Sequence, residues 1–135
     1  MAHATVEPTL QLDETIEVLF VDDDAAQREM YRRRLERAGC RVRLANSADA
    51  ATAEVRERPP HVVVLDIAMP GRDGLSCLQE LLDIQPAMPV IINTAYLSFT
   101  DNFLAWAADA YVEKTADAGP LISAIRDVVE GAAVC

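Results

Sequence analysis

The residues best able to do chemistry are polar groups that close apolar runs. "VLFVDDD" (18–24) ends in Asp22, Asp23 and Asp24, and "HVVVLD" (61–66) ends in Asp66. "PVIINT" (89–94) closes on Asn93 and Thr94, and "DAYVEK" (109–114) closes on Lys114. Clustered carboxylates repel one another unless a cation joins them. Oxygen ligands with positions left for water suit Mg2+ or Mn2+, and such a metal can also hold a phosphoryl oxygen. Asp66 stands alone at the end of its run, which makes it the candidate nucleophile for an acyl phosphate. Thr94 and Lys114 would then contact the phosphoryl oxygens as hydroxyl and cation. Phosphoryl transfer asks a protein mainly for in-line positioning and charge neutralisation.

These groups can meet only if the chain brings their runs together. Five apolar runs of strand length, at 17–22, 41–45, 61–66, 89–94 and 109–114, are rich in Val, Ile and Leu. The segments between them carry helical spacing. In 25–38, Ala26, Met30, Leu35 and Ala38 fall near one face, with Gly39 as the stop. Ser47 is the expected cap of a helix over 47–57, which Pro59 and Pro60 terminate. Leu75, Leu78, Leu82 and Ile84 mark a helix over 75–85, and Phe99 and Phe103 lie one turn apart in 98–107. Leu121, Ile125, Val128 and Val129 stripe 121–130, with Asp117 as cap and Pro120 in the first turn.

This alternation predicts an α/β fold: a doubly wound, five-stranded parallel sheet with helices on both faces. The first, third and fourth runs are apolar on both sides and belong in the centre. "RVRLA" (41–45) alternates, so it belongs at one edge, and the mixed "DAYVEK" belongs at the other. The expected order is therefore 2-1-3-4-5, flavodoxin-like. In a parallel sheet the carboxyl ends share one rim, so Asp22, Asp23, Asp66, Thr94 and Lys114 should converge there.

With those residues placed, the chain resembles the receiver domain of two-component response regulators. "VLFVDDDAAQRE" is similar to that family's acidic motif and "VVVLDIAMPGRDG" to its phosphoacceptor motif. "IINTAY" is similar to its hydroxyl motif, and "AYVEK" to its aromatic-plus-lysine motif. The likeness spans about residues 16–131, leaving 1–15 as a loose extension and 132–135 as a tail.

The resemblance implies that a histidine kinase or phosphotransfer protein phosphorylates Asp66. Asp22, Asp23, Asp66 and the backbone carbonyl of Ala68 would hold Mg2+ or Mn2+. Thr94 and Lys114 would bind the phosphoryl group. Movement of Thr94 and inward rotation of Tyr111 would change the surface formed by the fourth helical segment, the fifth strand and the fifth helical segment, where an output protein would dock. Such a domain is a two-state signalling switch rather than a substrate-turning enzyme, with slow self-dephosphorylation.

The chain departs from the family pattern in several places. Thr115 follows the lysine where proline is usual, which removes the usual cis-proline. The segment from Thr94 to Tyr111 is slightly short and contains Trp106. Ala68 offers no polar side chain to an attacking water, and Tyr96 is placed to cover the site. Both are candidate modulators of dephosphorylation. The chain stops soon after the fifth helical segment, so output is expected through a protein partner or through a domain beyond this sequence.

Bulk properties narrow the alternatives. A length of 135 residues, 51% of them apolar, suits one packed domain. No apolar run reaches the ~18 residues of a membrane span. The N-terminus lacks a basic stretch followed by an apolar one, so a cytoplasmic location is expected. A net charge of −10 disfavours direct nucleic-acid binding. Cys40 and Cys77 read as buried small hydrophobes, Asp24 as a helix-terminal carboxylate, and Arg32 to Arg34 as a solvated helix face. A metal-dependent phosphohydrolase with an aspartyl-phosphate intermediate is a competing function, opposed by the lack of an inserted cap. A non-phosphorylated docking module is another, opposed by the intact Asp66, Thr94 and Lys114 set.

Overall fold

The strands are β1 (Glu17–Val21), β2 (Arg41–Ala45), β3 (Val62–Leu65), β4 (Val90–Thr94) and β5 (Ala110–Glu113). Around them lie α1 (Ala25–Arg37), α2 (Ala48–Glu57), α3 (Gly74–Ile84) and α4 (Gly119–Val134). The computed structural model describes residues 15–67, 74–95 and 108–134. The expected helix over 98–107, with Phe99, Phe103 and Trp106, lies outside the described residues, as do Ala68, Tyr96 and nearly all of the N-terminal extension. All strand pairs are parallel, and the order is β2-β1-β3-β4-β5. The 2-1-3-4-5 order expected from the strand patterns is the one observed.

The three central strands are apolar on both sides because each side has its own helical layer. Val18, Phe20, Val62, Val64 and Ile91 pack with Tyr31 and Leu35 of α1 and with Leu121 and Ile125 of α4. The alternate residues Leu19, Val21, Val63, Leu65 and Ile92 pack with Ala51 and Val55 of α2 and with Cys77, Leu78 and Leu81 of α3. Cys40 and Cys77 are buried, as expected, and burial pushes the Cys40 thiol pKa up. Among the described residues no helix is long and apolar enough to cross a membrane.

The expected β2 edge is observed, with one refinement. Arg43 is not simply solvated: its guanidinium meets Glu54 of α2 at 2.7 Å and Glu17 of β1 at 3.6 Å. Glu17 in turn pairs with Arg58 at 3.0 Å. An ion-pair cluster thus covers this side of the strand where apolar packing ends.

The helix boundaries follow local chemistry. The Asp24 side chain accepts hydrogen bonds from the backbone N–H groups of Ala26 and Gln27 at 2.9 and 3.1 Å, so Asp24 caps α1. Gly39, with φ 102°, lets the chain leave α1, and the Cys40 N–H returns to the Leu35 carbonyl at 3.0 Å. Ser47 caps α2 by accepting from the Ala50 N–H. Arg32 bonds to Glu29 and Glu36, and Arg33 to Glu29. Those two arginines, Arg32 foremost, lower the pKa of the Glu29 carboxyl to about 2.

Three expectations need correction. The buried pair on α1 is Tyr31 and Leu35, whereas Ala26 is exposed. On α3 the deeply buried residues are Cys77, Leu78 and Leu81, with Leu82 and Ile84 only half-buried. The last helix runs from Gly119 to Val134, beyond the 121–130 expected for it, because Gly131 is followed by helix-compatible alanines and no proline stops it.

Candidate functional site

Strand register brings the acids together. Val21 pairs with Leu65, so the following residues, Asp22 and Asp66, stand level at the carboxyl rim. The ladder continues through both: the Asp22 N–H donates to the Ala45 carbonyl at 3.1 Å, and the Asp66 N–H donates to the Val21 carbonyl at 3.0 Å. Asp22 is fully buried and Asp66 is 5% exposed, while Asp23 is exposed. One carboxylate oxygen from each of Asp22, Asp23 and Asp66 lies within 4.8 Å of the others.

Lys114 follows directly after β5, whose ladder its backbone continues by donating to the Thr94 carbonyl at 2.9 Å. Its ammonium lies 2.7 Å from Asp22 Oδ2 and 2.9 Å from Asp66 Oδ2. Burial works against the charged amine. Hydrogen bonds to Asp22 and Asp66, and their negative charge, outweigh burial and raise the Lys114 pKa. The lysine is therefore a fixed cation bridging two buried acids. Negative charge still exceeds positive charge in the cluster, and all the acidic donors are hard oxygens. That donor set fits a divalent cation such as Mg2+ or Mn2+.

Other contacts orient the acids. Asp22 Oδ1 accepts from the Asp24 N–H at 2.9 Å, and Arg28 of α1 donates to the Asp22 carbonyl at 2.8 Å. Thr94 ends β4, one strand from Asp66, and is fully buried. Tyr111 pairs with Ile92 across β4 and β5 and is packed, half-buried, against the α2/α3 layer. Its hydroxyl pKa is pushed up, first by burial and then by the charge of Asp109.

The connection that follows Lys114 is tied to α1. The buried Tyr31 hydroxyl donates to the Thr115 carbonyl at 3.2 Å, and its ring lies 5.0 Å from that of Phe20. The Thr115 hydroxyl donates to the Asp117 carbonyl at 2.8 Å, and Asp117 Oδ1 accepts from the Gly119 N–H at 2.9 Å, just ahead of α4. Tyr31→Phe removes one neutral hydrogen bond, made by a buried hydroxyl to the carbonyl of the exposed Thr115. A loss of about 1 kcal/mol is expected in urea unfolding, with the mutated ring still packed on Phe20.

The sequence-predicted Asp22, Asp23, Asp66 and Lys114 are thus brought into one cluster, with Thr94 at the neighbouring strand end. Ala68 and Tyr96 lie outside the described residues. Asp24 serves as the cap of α1 rather than as a member of the three-carboxylate cluster. Arg28 and Tyr31 were missed, and Asn93 was named at the close of its run but given no role. Arg28 and Tyr31 sit in a helix whose sequence reads as charged surface, and Asn93 sits in a strand whose sequence reads as core.

A family model for the response regulator receiver domain matches residues 18–126. This chain belongs to the response regulator receiver family. Response regulator MprA of Mycobacterium leprae (strain TN) is 36% identical over 111 residues, which is 81% of this receiver and 49% of MprA. The receiver spans between about a fifth and a half of the length of the curated relatives it matches, MprA among them. Response regulator protein TrrA of Thermotoga maritima, solved in complex with Mg(2+)-BeF, superposes with a TM-score of 0.81 at 28% identity, covering 84% of this receiver and 99% of TrrA. TrrA in complex with the histidine kinase ThkA superposes with a TM-score of 0.79 at 28% identity, covering 84% of this receiver and 98% of TrrA. Receiver domains are signalling modules of two-component systems that bind Mg2+ at an acidic pocket, and the cluster of Asp22, Asp23 and Asp66 is consistent with such a pocket.

Proposed function

We propose that this receiver is a phosphorylation-controlled switch in which Asp66 accepts a phosphoryl group from a histidine kinase or phosphotransfer protein. The observation that carries the reading is the Lys114 ammonium held between Asp22 and Asp66, with Asp23 close enough to share a cation. An Asp66 oxygen attacks phosphorus, the P–N bond of the donor phosphohistidine breaks, and the released imidazole nitrogen takes a proton. Asp22, Asp23, Asp66 and the Ala68 carbonyl would hold Mg2+ or Mn2+, which supplies charge neutralisation at the phosphoryl oxygens. Lys114 supplies a further positive charge, and Thr94 a hydroxyl donor. Each bond made to the phosphoryl group favours the state in which Thr94 and Tyr111 are drawn towards the site. The altered surface lies around β5 and its flanking helical segments, where an output protein binds. The cytoplasm is the proposed place of action. Ala68 and Tyr96 are proposed to tune the lifetime of the acyl phosphate.

The test is incubation of the full chain with Mg2+ and acetyl phosphate, followed by intact-mass measurement. Gain of one phosphoryl group is expected in the wild type and none in Asp66→Ala. An unmodified wild type, or equal gain in Asp66→Ala, would refute the assignment.

A further inference from the structure

Asn93 breaks the pattern of the sheet centre. It is 1% exposed, and among the described residues neither its Nδ2 nor its Oδ1 has a hydrogen-bond partner. A carboxamide offers two donor hydrogens and an acceptor oxygen, and an unmet buried polar group is destabilising. An aliphatic side chain, like those of Ile91 and Ile92 before it, would avoid that penalty.

Register places this amide beside the acid cluster. Leu65 pairs with Ile92, so Asn93 stands level with Asp66 on the neighbouring strand. Ile91 faces the α1/α4 layer and Ile92 the α2/α3 layer. By strand alternation Asn93 shares the α1/α4 side, as do Asp66, two residues after Val64, and Asp22, two after Phe20. Lys114 leaves the sheet beyond β5 and reaches Asp66 after β3 and Asp22 after β1, so its stem must cross β4. Asn93 is therefore next to Asp66 and below the path of the lysine.

We propose that Asn93 is a positioning residue whose carboxamide is hydrogen-bonded only in the loaded state. The inference rests on the phosphoacceptor reading above. When a divalent cation and a phosphoryl group engage the cluster, Lys114 leaves Asp22 for the phosphoryl group. One of its N–H groups then donates to Asn93 Oδ1. The unmet amide thus weakens the resting state and strengthens the loaded one.

Asn93→Leu keeps the size and removes both polar atoms. Without ligand, its thermal midpoint is expected to rise by about 3 °C. With Mg2+ present, its apparent affinity for beryllofluoride is expected to fall about tenfold, while Mg2+ binding alone stays unchanged. In the wild type, the Asn93 side-chain amide resonances are expected to shift on addition of Mg2+ and beryllofluoride. This NMR measurement decides the matter if Asn93→Leu fails to fold. Equal affinity in Asn93→Leu and wild type, or amide resonances unmoved because a buried water serves Asn93 in both states, would overturn the proposal. A wild type that binds beryllofluoride while Asn93→Leu matches it removes this inference alone. A wild type that neither binds beryllofluoride nor gains a phosphoryl group removes the phosphoacceptor reading as well.

Discussion

Lys114→Met is expected to lower stability by about 2–4 kcal/mol at neutral pH without divalent cations. Methionine keeps most of the stem and removes the ammonium. Asp22, fully buried, and Asp66, 5% exposed, then face each other without the cation that now lies 2.7 and 2.9 Å from them. Removing one partner of a buried pair leaves charge that neither water nor protein compensates. Mg2+ added to the variant is expected to restore much of the loss, because a metal held by Asp22, Asp23 and Asp66 as proposed would replace the missing charge. Urea unfolding of wild type and variant, with and without Mg2+, measures the effect. Equal midpoints in the absence of metal would remove the lysine from its bridging role. In the wild type the pH dependence has a definite sign. The Lys114 pKa is raised by its contacts with Asp22 and Asp66, although burial opposes this. Its contribution is therefore fully present below the unfolded lysine pKa, and it is lost as pH rises through the higher folded value.

Phe20→Ala is expected to cost about 3–5 kcal/mol, a large share of the ~5–15 kcal/mol that stabilises an ordinary domain. Phe20 is 1% exposed, on a central strand, two residues before Asp22. Its ring contacts Tyr31, whose hydroxyl holds the Thr115 carbonyl in the connection after Lys114. The cavity would lie under both an acidic strand end and the tether of the lysine connection. Loss of phosphoryl uptake is expected to accompany loss of stability. Urea midpoints together with intact mass after acetyl phosphate treatment separate this variant from Tyr31→Phe, where the ring contact survives. A Phe20→Ala midpoint near that of wild type would show that α1 closes over the space.

Much of the architecture was legible because strand burial writes itself into composition. "VVVL" and "VII" admit few places other than the middle of a sheet covered on both faces, and "RVRLA" declares its half-wet position. The acid cluster was legible for the same reason: parallel strands share a rim, so polar residues closing separate runs must meet. Helix faces were harder to read. On α1, tyrosine carries a polar tip on an apolar body, and the arginines around it hide the stripe that Tyr31 and Leu35 form. On α3, Leu75, Leu78, Leu81, Leu82 and Ile84 leave more than one plausible stripe, and contact with α2 selects among them. Asn93 was named as the close of its run and given no role, because only register reveals that it lies beside Asp66. The end of α4 fell short because its apolar stripe stops at Val129, whereas the helix continues to Val134.

The ion-pair cluster on β2 also bears on how copies of this chain meet one another. Among the described residues β2 pairs with β1 alone, so its other side presents backbone donors and acceptors that an incoming strand could extend. Arg41 is exposed there, and Arg43 holds its charge beside Glu54 and Glu17. An antiparallel β2 from a second molecule would set arginine against arginine and would have to desolvate them. The pattern that marks β2 as the sheet margin thereby also discourages polymerisation through it, and the net charge of −10 adds long-range repulsion between copies.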